Sequence, residues 1–130
     1  MFVRRRLATV LTLGVSAAAL VLAPSAMAGG GEPAKEKDEC QNSSLVKIKV
    51  TPEGGNFEVV GVVWSDDDDI WDWKMKHNGD DSAEGSVRAK DTDKSFRITR
   101  IMLDFSGVDS FVFRAQNRRT DEVCRASLTY

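Results

Sequence analysis

From residue 44 to residue 130 the chain alternates apolar and polar side chains with a period of two and shows no convincing helical period. Val46, Ile48 and Val50 alternate with Lys47 and Lys49, the pattern of a half-buried strand, and Pro52-Glu53-Gly54-Gly55 turns the chain. Phe57 to Trp64 is apolar apart from Glu58 and Gly61, which reads as a central strand. After the Ser65–Asp69 run, Trp71, Trp73 and Met75 share one face and Asp72, Lys74 and Lys76 the other. His77 to Asp81 is a loop, and Ala83, Gly85, Val87 and Ala89 then alternate with polar residues. Phe96 and Ile98 lie on one parity while Ile101, Leu103 and Phe105 lie on the other. One extra residue near Thr99 or Arg100 brings both sets to a common face, so a β-bulge is expected at 99–100. Phe111, Phe113 and Ala115 form the next apolar row, and a hairpin at 117–121 leads to a last strand carrying Cys124, Ala126, Leu128 and Tyr130.

Seven short alternating strands with regular turns predict an all-β domain, a single immunoglobulin-like β-sandwich over residues 44–130. A small barrel fits the same pattern and is the alternative. The segment 29–43 (GGGEPAKEKDECQNS) is glycine-rich and charged, with almost nothing to bury, and predicts a flexible N-terminal tail or an arm that orders on a partner.

Residues 1–28 have a different character. Three arginines precede an uncharged run from Leu7 to Ala23, and Ala26-Met27-Ala28 offers small residues at the last and third-last positions. That is the design of a cleaved secretory signal peptide, and the apolar run is short for a membrane span. Export implies an extracellular protein and an oxidising compartment, so Cys40 and Cys124 are expected to form a structural disulfide. A redox or nucleophilic thiol would want a neighbouring base or a C-x-x-C partner, which neither cysteine has.

Charge narrows the partners. Without Arg4, Arg5 and Arg6, 15 basic and 20 acidic residues remain, a formal charge of −5. This balance argues against nucleic acid and against anionic lipid, and no stable membrane insertion is expected after cleavage. It favours another secreted or cell-surface protein as partner.

Candidate chemistry is sparse. Asp66, Asp67, Asp68 and Asp69 offer hard oxygens that suit calcium, yet they lack the D-x-D-x-D-G spacing of a calcium loop, and a solvated charge run is the simpler reading. No other cofactor is indicated. His77 is the single histidine, near Asp80, Asp81 and Ser82, and no G-x-S-x-G, H-E-x-x-H or C-x-x-C accompanies it. A solvated loop histidine and a non-enzymatic protein are expected. Core placement is the simpler reading of Trp71 and Trp73; as an aromatic near a sheet edge Trp71 is also a candidate for contacting a partner, with the Arg118-Arg119 pair at a hairpin tip.

Ser110 to Asn117 (SFVFRAQN), followed by a short hairpin, resembles the penultimate strand of fibronectin type III and related immunoglobulin-like domains. Trp64, Trp71 and Trp73 fall roughly where such domains keep core tryptophans, but no cysteine pair brackets a tryptophan as in antibody domains. The layout of an actinobacterial-type signal peptide, a charged tail and a small immunoglobulin-like domain also resembles the small adaptor subunits of secreted umbrella-shaped toxin particles. There the small subunit bridges a lectin-like subunit and a repeat-containing stalk. The resemblance implies an adaptor; the competing expectations are an inhibitor of a secreted hydrolase, plugging its target with the 65–69 or 117–121 loop, and a small calcium- or glycan-binding domain.

Overall fold

The structure is a computed structural model and describes residues 31–130. The signal-peptide expectation for residues 1–28 falls outside the described residues. Eight strands run in order: β1 (Ala34–Glu39), β2 (Leu45–Glu53), β3 (Asn56–Trp64), β4 (Ile70–His77), β5 (Asp80–Arg88), β6 (Ser95–Leu103), β7 (Ser110–Asn117) and β8 (Val123–Thr129). They form two antiparallel four-stranded sheets, β1-β2-β3-β6 and β5-β4-β7-β8, packed as a β-sandwich rather than closed into a barrel.

Alternation dictates this arrangement. Val46, Ile48 and Val50 of β2 and Phe57, Val59 and Val63 of β3 point inward, against Trp71, Trp73 and Met75 of β4 and Phe111, Phe113 and Ala115 of β7, and all are buried. Phe57 meets Phe111 edge-on with centroids 5.2 Å apart, an arrangement the ring quadrupoles favour. Opposite the Phe113 ring of the other sheet, β3 carries Gly61. A Cβ there would lie 2.6 Å from the Phe113 ring, so glycine is the residue that lets the sheets close.

Two hairpins show the turn chemistry directly. Gly54-Gly55 joins β2 to β3, and Asn78-Gly79 joins β4 to β5, with φ of 54° and 83° and of 51° and 85°. Two consecutive left-handed residues match the twist of the flanking strands, which is why Asn-Gly and Gly-Gly recur in such turns. The expected 77–81 loop is thus only two residues long.

Three sequence expectations are corrected here. The 29–43 segment is not a flexible tail throughout, because Ala34–Glu39 pairs residue for residue with β2, from Ala34↔Val50 to Glu39↔Leu45. This strand buries almost nothing; it is held by its main-chain ladder and by anchors at both ends. The Tyr130 hydroxyl donates to the Glu32 carbonyl at 2.8 Å, and Cys40 is bonded to Cys124. The strand count is therefore eight rather than seven.

The third correction is the bulge. β3 and β6 pair without a register shift from Asn56↔Leu103 to Trp64↔Ser95, so no bulge occurs at 99–100. Phe96, Ile98 and Met102 of β6 are buried, Arg100 shares their parity but is exposed, and Ile101 and Leu103 face solvent. The register shift lies instead between Met75 and Lys76, where β4 meets β5.

Candidate functional site

The predicted disulfide is present: Cys40, at the end of β1, is bonded to Cys124 of β8 across 84 residues of sequence and ties the two sheets together. A buried carboxylate reinforces the same corner. Glu122 accepts hydrogen bonds from Asn42 N (2.8 Å), Ser44 N (3.2 Å) and Ser44 Oγ (2.7 Å), satisfying the chain where it enters β2.

The acidic run is engaged internally. Arg119 Nε donates to Asp69 Oδ1 at 2.9 Å, and its Nη2 reaches Asp69 Oδ2 at 2.8 Å and Asp67 Oδ2 at 3.0 Å. Asn117 Nδ2 adds a bond to Asp69 Oδ2 at 3.0 Å. Bonding to Arg119 and to Asn117 holds the Asp69 carboxyl below the usual carboxylate range, against a smaller opposing effect of burial. Asp66 instead meets Ser43 Oγ, and the Asp68 carbonyl accepts from Arg88 at 3.1 Å. The four carboxylates do not converge. No group of three or more metal-ligating side chains is arranged to hold an ion among the described residues.

The Arg118 side chain lies along the outer face of β4, donating to Asp72 at 2.8 to 3.1 Å and to Ser86 Oγ at 2.8 Å. Arg118 and Arg119 are thus brought together with the residues that neutralise them, as struts of a rigid hairpin. Trp71 is corrected as a surface anchor: it is fully buried, its ring 5.9 Å from that of Phe96, with no hydrogen-bond partner for its indole N–H among the described residues.

His77 is not a solvated loop residue. It ends β4, is buried, and stacks on Phe111 with centroids 4.6 Å apart and planes 11° from parallel. Its Nε2 sits 2.8 Å from Oδ1 of the buried Asp109. Asp80, Asp81 and Ser82 line a shallow hollow with His77, but no hydrogen bond joins Ser82 to the histidine among the described residues, so the elements of a triad are not assembled.

What sequence reading missed lies on β6. This nine-residue strand ends its sheet, and among the described residues one side of its main chain has no pairing strand. Beside that edge, Ile101 and Leu103 are 58 % and 63 % exposed, and the apolar surface continues into the β6–β7 loop with Phe105 and Val108 at 51 % and 76 %. Sandwich proteins ordinarily blunt a long edge with prolines, bulges or charges. Here Arg97 and Arg100 stand in its first two thirds and leave the 101–103 end unguarded. The off-parity of Ile101 and Leu103 was the sequence signal, and it marks exposure rather than a bulge. No family model, curated protein or solved structure matches the chain.

Proposed function

We propose that the protein is an exported, non-catalytic module that binds another protein, acting as an adaptor in an extracellular assembly, and that the β6 edge is its docking strand. The unpaired main chain of β6 flanked by exposed Ile101 and Leu103 is the observation that carries this reading. The occupant that fits is an extended segment of the partner. It would add a fifth strand through main-chain hydrogen bonds and set apolar residues at alternate positions against Ile101 and Leu103.

The test uses immobilised protein and the culture fluid of its source, with captured proteins identified by mass spectrometry. A stoichiometric species retained by the parent and lost by Ile101→Lys/Leu103→Lys supports the reading. Equal capture by parent and variant overturns the edge assignment, and substrate turnover abolished by His77→Ala overturns the non-catalytic one.

A further inference from the structure

The formal charge of the chain is negative, but the fold does not distribute it evenly. On the outer face of the β1-β2-β3-β6 sheet, Lys35 stands opposite Lys49, and Lys37 opposite Lys47. Lys47 in turn neighbours Val62, and Val62 neighbours Arg97. Five cations thus occupy one sheet face. None of them has a carboxylate within salt-bridge distance among the described residues, whereas Lys74, Arg118 and Arg119 elsewhere on the molecule are paired. Like charges directly across a strand pair are destabilising, so Lys35–Lys49 and Lys37–Lys47 are a cost without return inside the fold. Burial, together with Lys35, Lys49, Arg97 and Lys37, pushes the Lys47 ammonium below its ordinary value, the mark of a crowded cationic surface.

The groups between the cations limit what can sit on them. Val60 and Val62 are only 6 % exposed, so the surface between the lysines and Arg97 is flat, and the exposed Ile101 and Leu103 project from the far end of the same face, beyond Arg97 along β6. The Trp64 ring is capped by Lys37 Nζ at 5.1 Å, which leaves no free aromatic platform for stacking a base. Four of the five cations are lysines, point charges without a fork, so the face reads the charge and spacing of an anion rather than a planar shape. The sheet spaces them about 4.8 Å apart across strands and about 6.7 Å apart along a strand. That interval suits a chain carrying its charges roughly one sugar ring apart.

We propose that this face is a binding site for a linear sulfated polysaccharide, laid across β1 and β2 and reaching Arg97. The site shares Arg97 with β6 but not Ile101 and Leu103, and it does not depend on the protein partner proposed there.

The test is titration of the disulfide-bonded protein into a fluorescently labelled heparin octasaccharide, followed by polarisation. Binding should weaken steeply as salt rises from about 50 mM to about 200 mM, and Lys47→Gln/Lys49→Gln should lose about tenfold or more in affinity. Lys35→Gln/Lys37→Gln, on the exposed first strand, provides a second reading should the first pair perturb folding. Lys74→Gln/Lys76→Gln removes the same charge from the other sheet and should change affinity by less than about twofold. Equal losses in all three double variants overturn the proposal, as does no binding at the lowest salt. Tighter binding to single-stranded DNA, to polyphosphate or to phosphatidylserine vesicles than to the octasaccharide also overturns it. Retention of octasaccharide binding by Ile101→Lys/Leu103→Lys keeps the outcome distinct from that of the edge reading.

Discussion

His77 Nε2 and Asp109 Oδ1 lie 2.8 Å apart inside the sandwich, with side chains 6 % and 1 % exposed, joining the end of β4 to the residue just before β7. Asn78 Nδ2 donates to the same oxygen at 3.0 Å, and the Asp109 main chain exchanges bonds with Tyr130 at 3.0 and 2.8 Å. One aspartate therefore closes the β4–β5 turn, the start of β7 and the C-terminus. Asp109→Ala leaves the buried His77 without its partner and Asn78 without its acceptor, and is expected to cost about 3 kcal/mol, read as a lower urea midpoint. A cost no larger than that of an exposed substitution such as Asp68→Ala would show that the pair is dispensable.

Burial alone would raise the Asp109 carboxyl, but the bonds from Asn78 and His77 bring it below the usual range. Asp104 moves the other way: desolvation and the neighbouring Asp109 push its carboxyl up. Folding thus penalises the charged form of Asp104, and its contribution to stability is lost as pH rises through its own titration. Asp109 Oδ2 has no hydrogen-bond partner among the described residues, and an amide at position 104 is placed to donate to it. Asp104→Asn is expected to raise the melting temperature at pH 7, with the gain shrinking below about pH 4, where the aspartate is protonated in both folded and unfolded chains. A lower melting temperature at pH 7 would exclude the repulsion.

Gly61 and Phe113 set the distance between the sheets. Gly61→Ala drives a methyl group into the ring at 2.6 Å and is expected to destabilise by about 1–3 kcal/mol. In a double-mutant cycle with Phe113→Leu, the alanine should cost less in the smaller background. Simple additivity would mean that the strain is taken up elsewhere.

Much of the sandwich could be read from alternation because a strand buried on one face must alternate. Trp71, Trp73, Phe111 and Phe113 were placed on their faces from that rule alone. β1 escaped it because its stability comes from main-chain pairing and end anchors, to which a pattern of side chains is blind. The bulge at 99–100 came from assuming that every large apolar residue belongs inside. In the fold Arg100 takes the parity of the buried residues instead, its guanidinium 4.9 Å from the Trp73 ring, and Ile101 and Leu103 are left outside. The basic face was hidden for a related reason. Net charge averages over the surface, and only strand pairing shows that Lys35, Lys37, Lys47 and Lys49 are neighbours.

The Cys40–Cys124 bond closes a long loop and fastens a strand with little apolar burial of its own. Cys40→Ser/Cys124→Ser is expected to lose about 4 kcal/mol, most of it through a less constrained unfolded chain. Hydrogen exchange should show β1 amides opening first, well before those of β3. Uniform loss of protection across both sheets would indicate that β1 is integral to the core rather than pinned to it.

Arg119 gives a pH signature. Because its hydrogen bonds hold the Asp69 carboxyl low in the folded protein, the stabilisation is complete above the unfolded-chain value of about 3.9. It is lost as pH falls through the lower folded value, where the carboxyl takes up a proton in both states. Arg119→Ala removes the largest cause of the depression and leaves the Asn117 bond, so parent and variant should differ in urea midpoint at pH 7 and converge toward pH 2. Arg118→Ala should behave likewise through Asp72, whose carboxyl Arg118 and Ser86 also hold low. A difference between parent and Arg119→Ala that stays constant from pH 7 to pH 2 would mean that the arginine stabilises by packing its stem on the hairpin, with the acidic run contributing nothing.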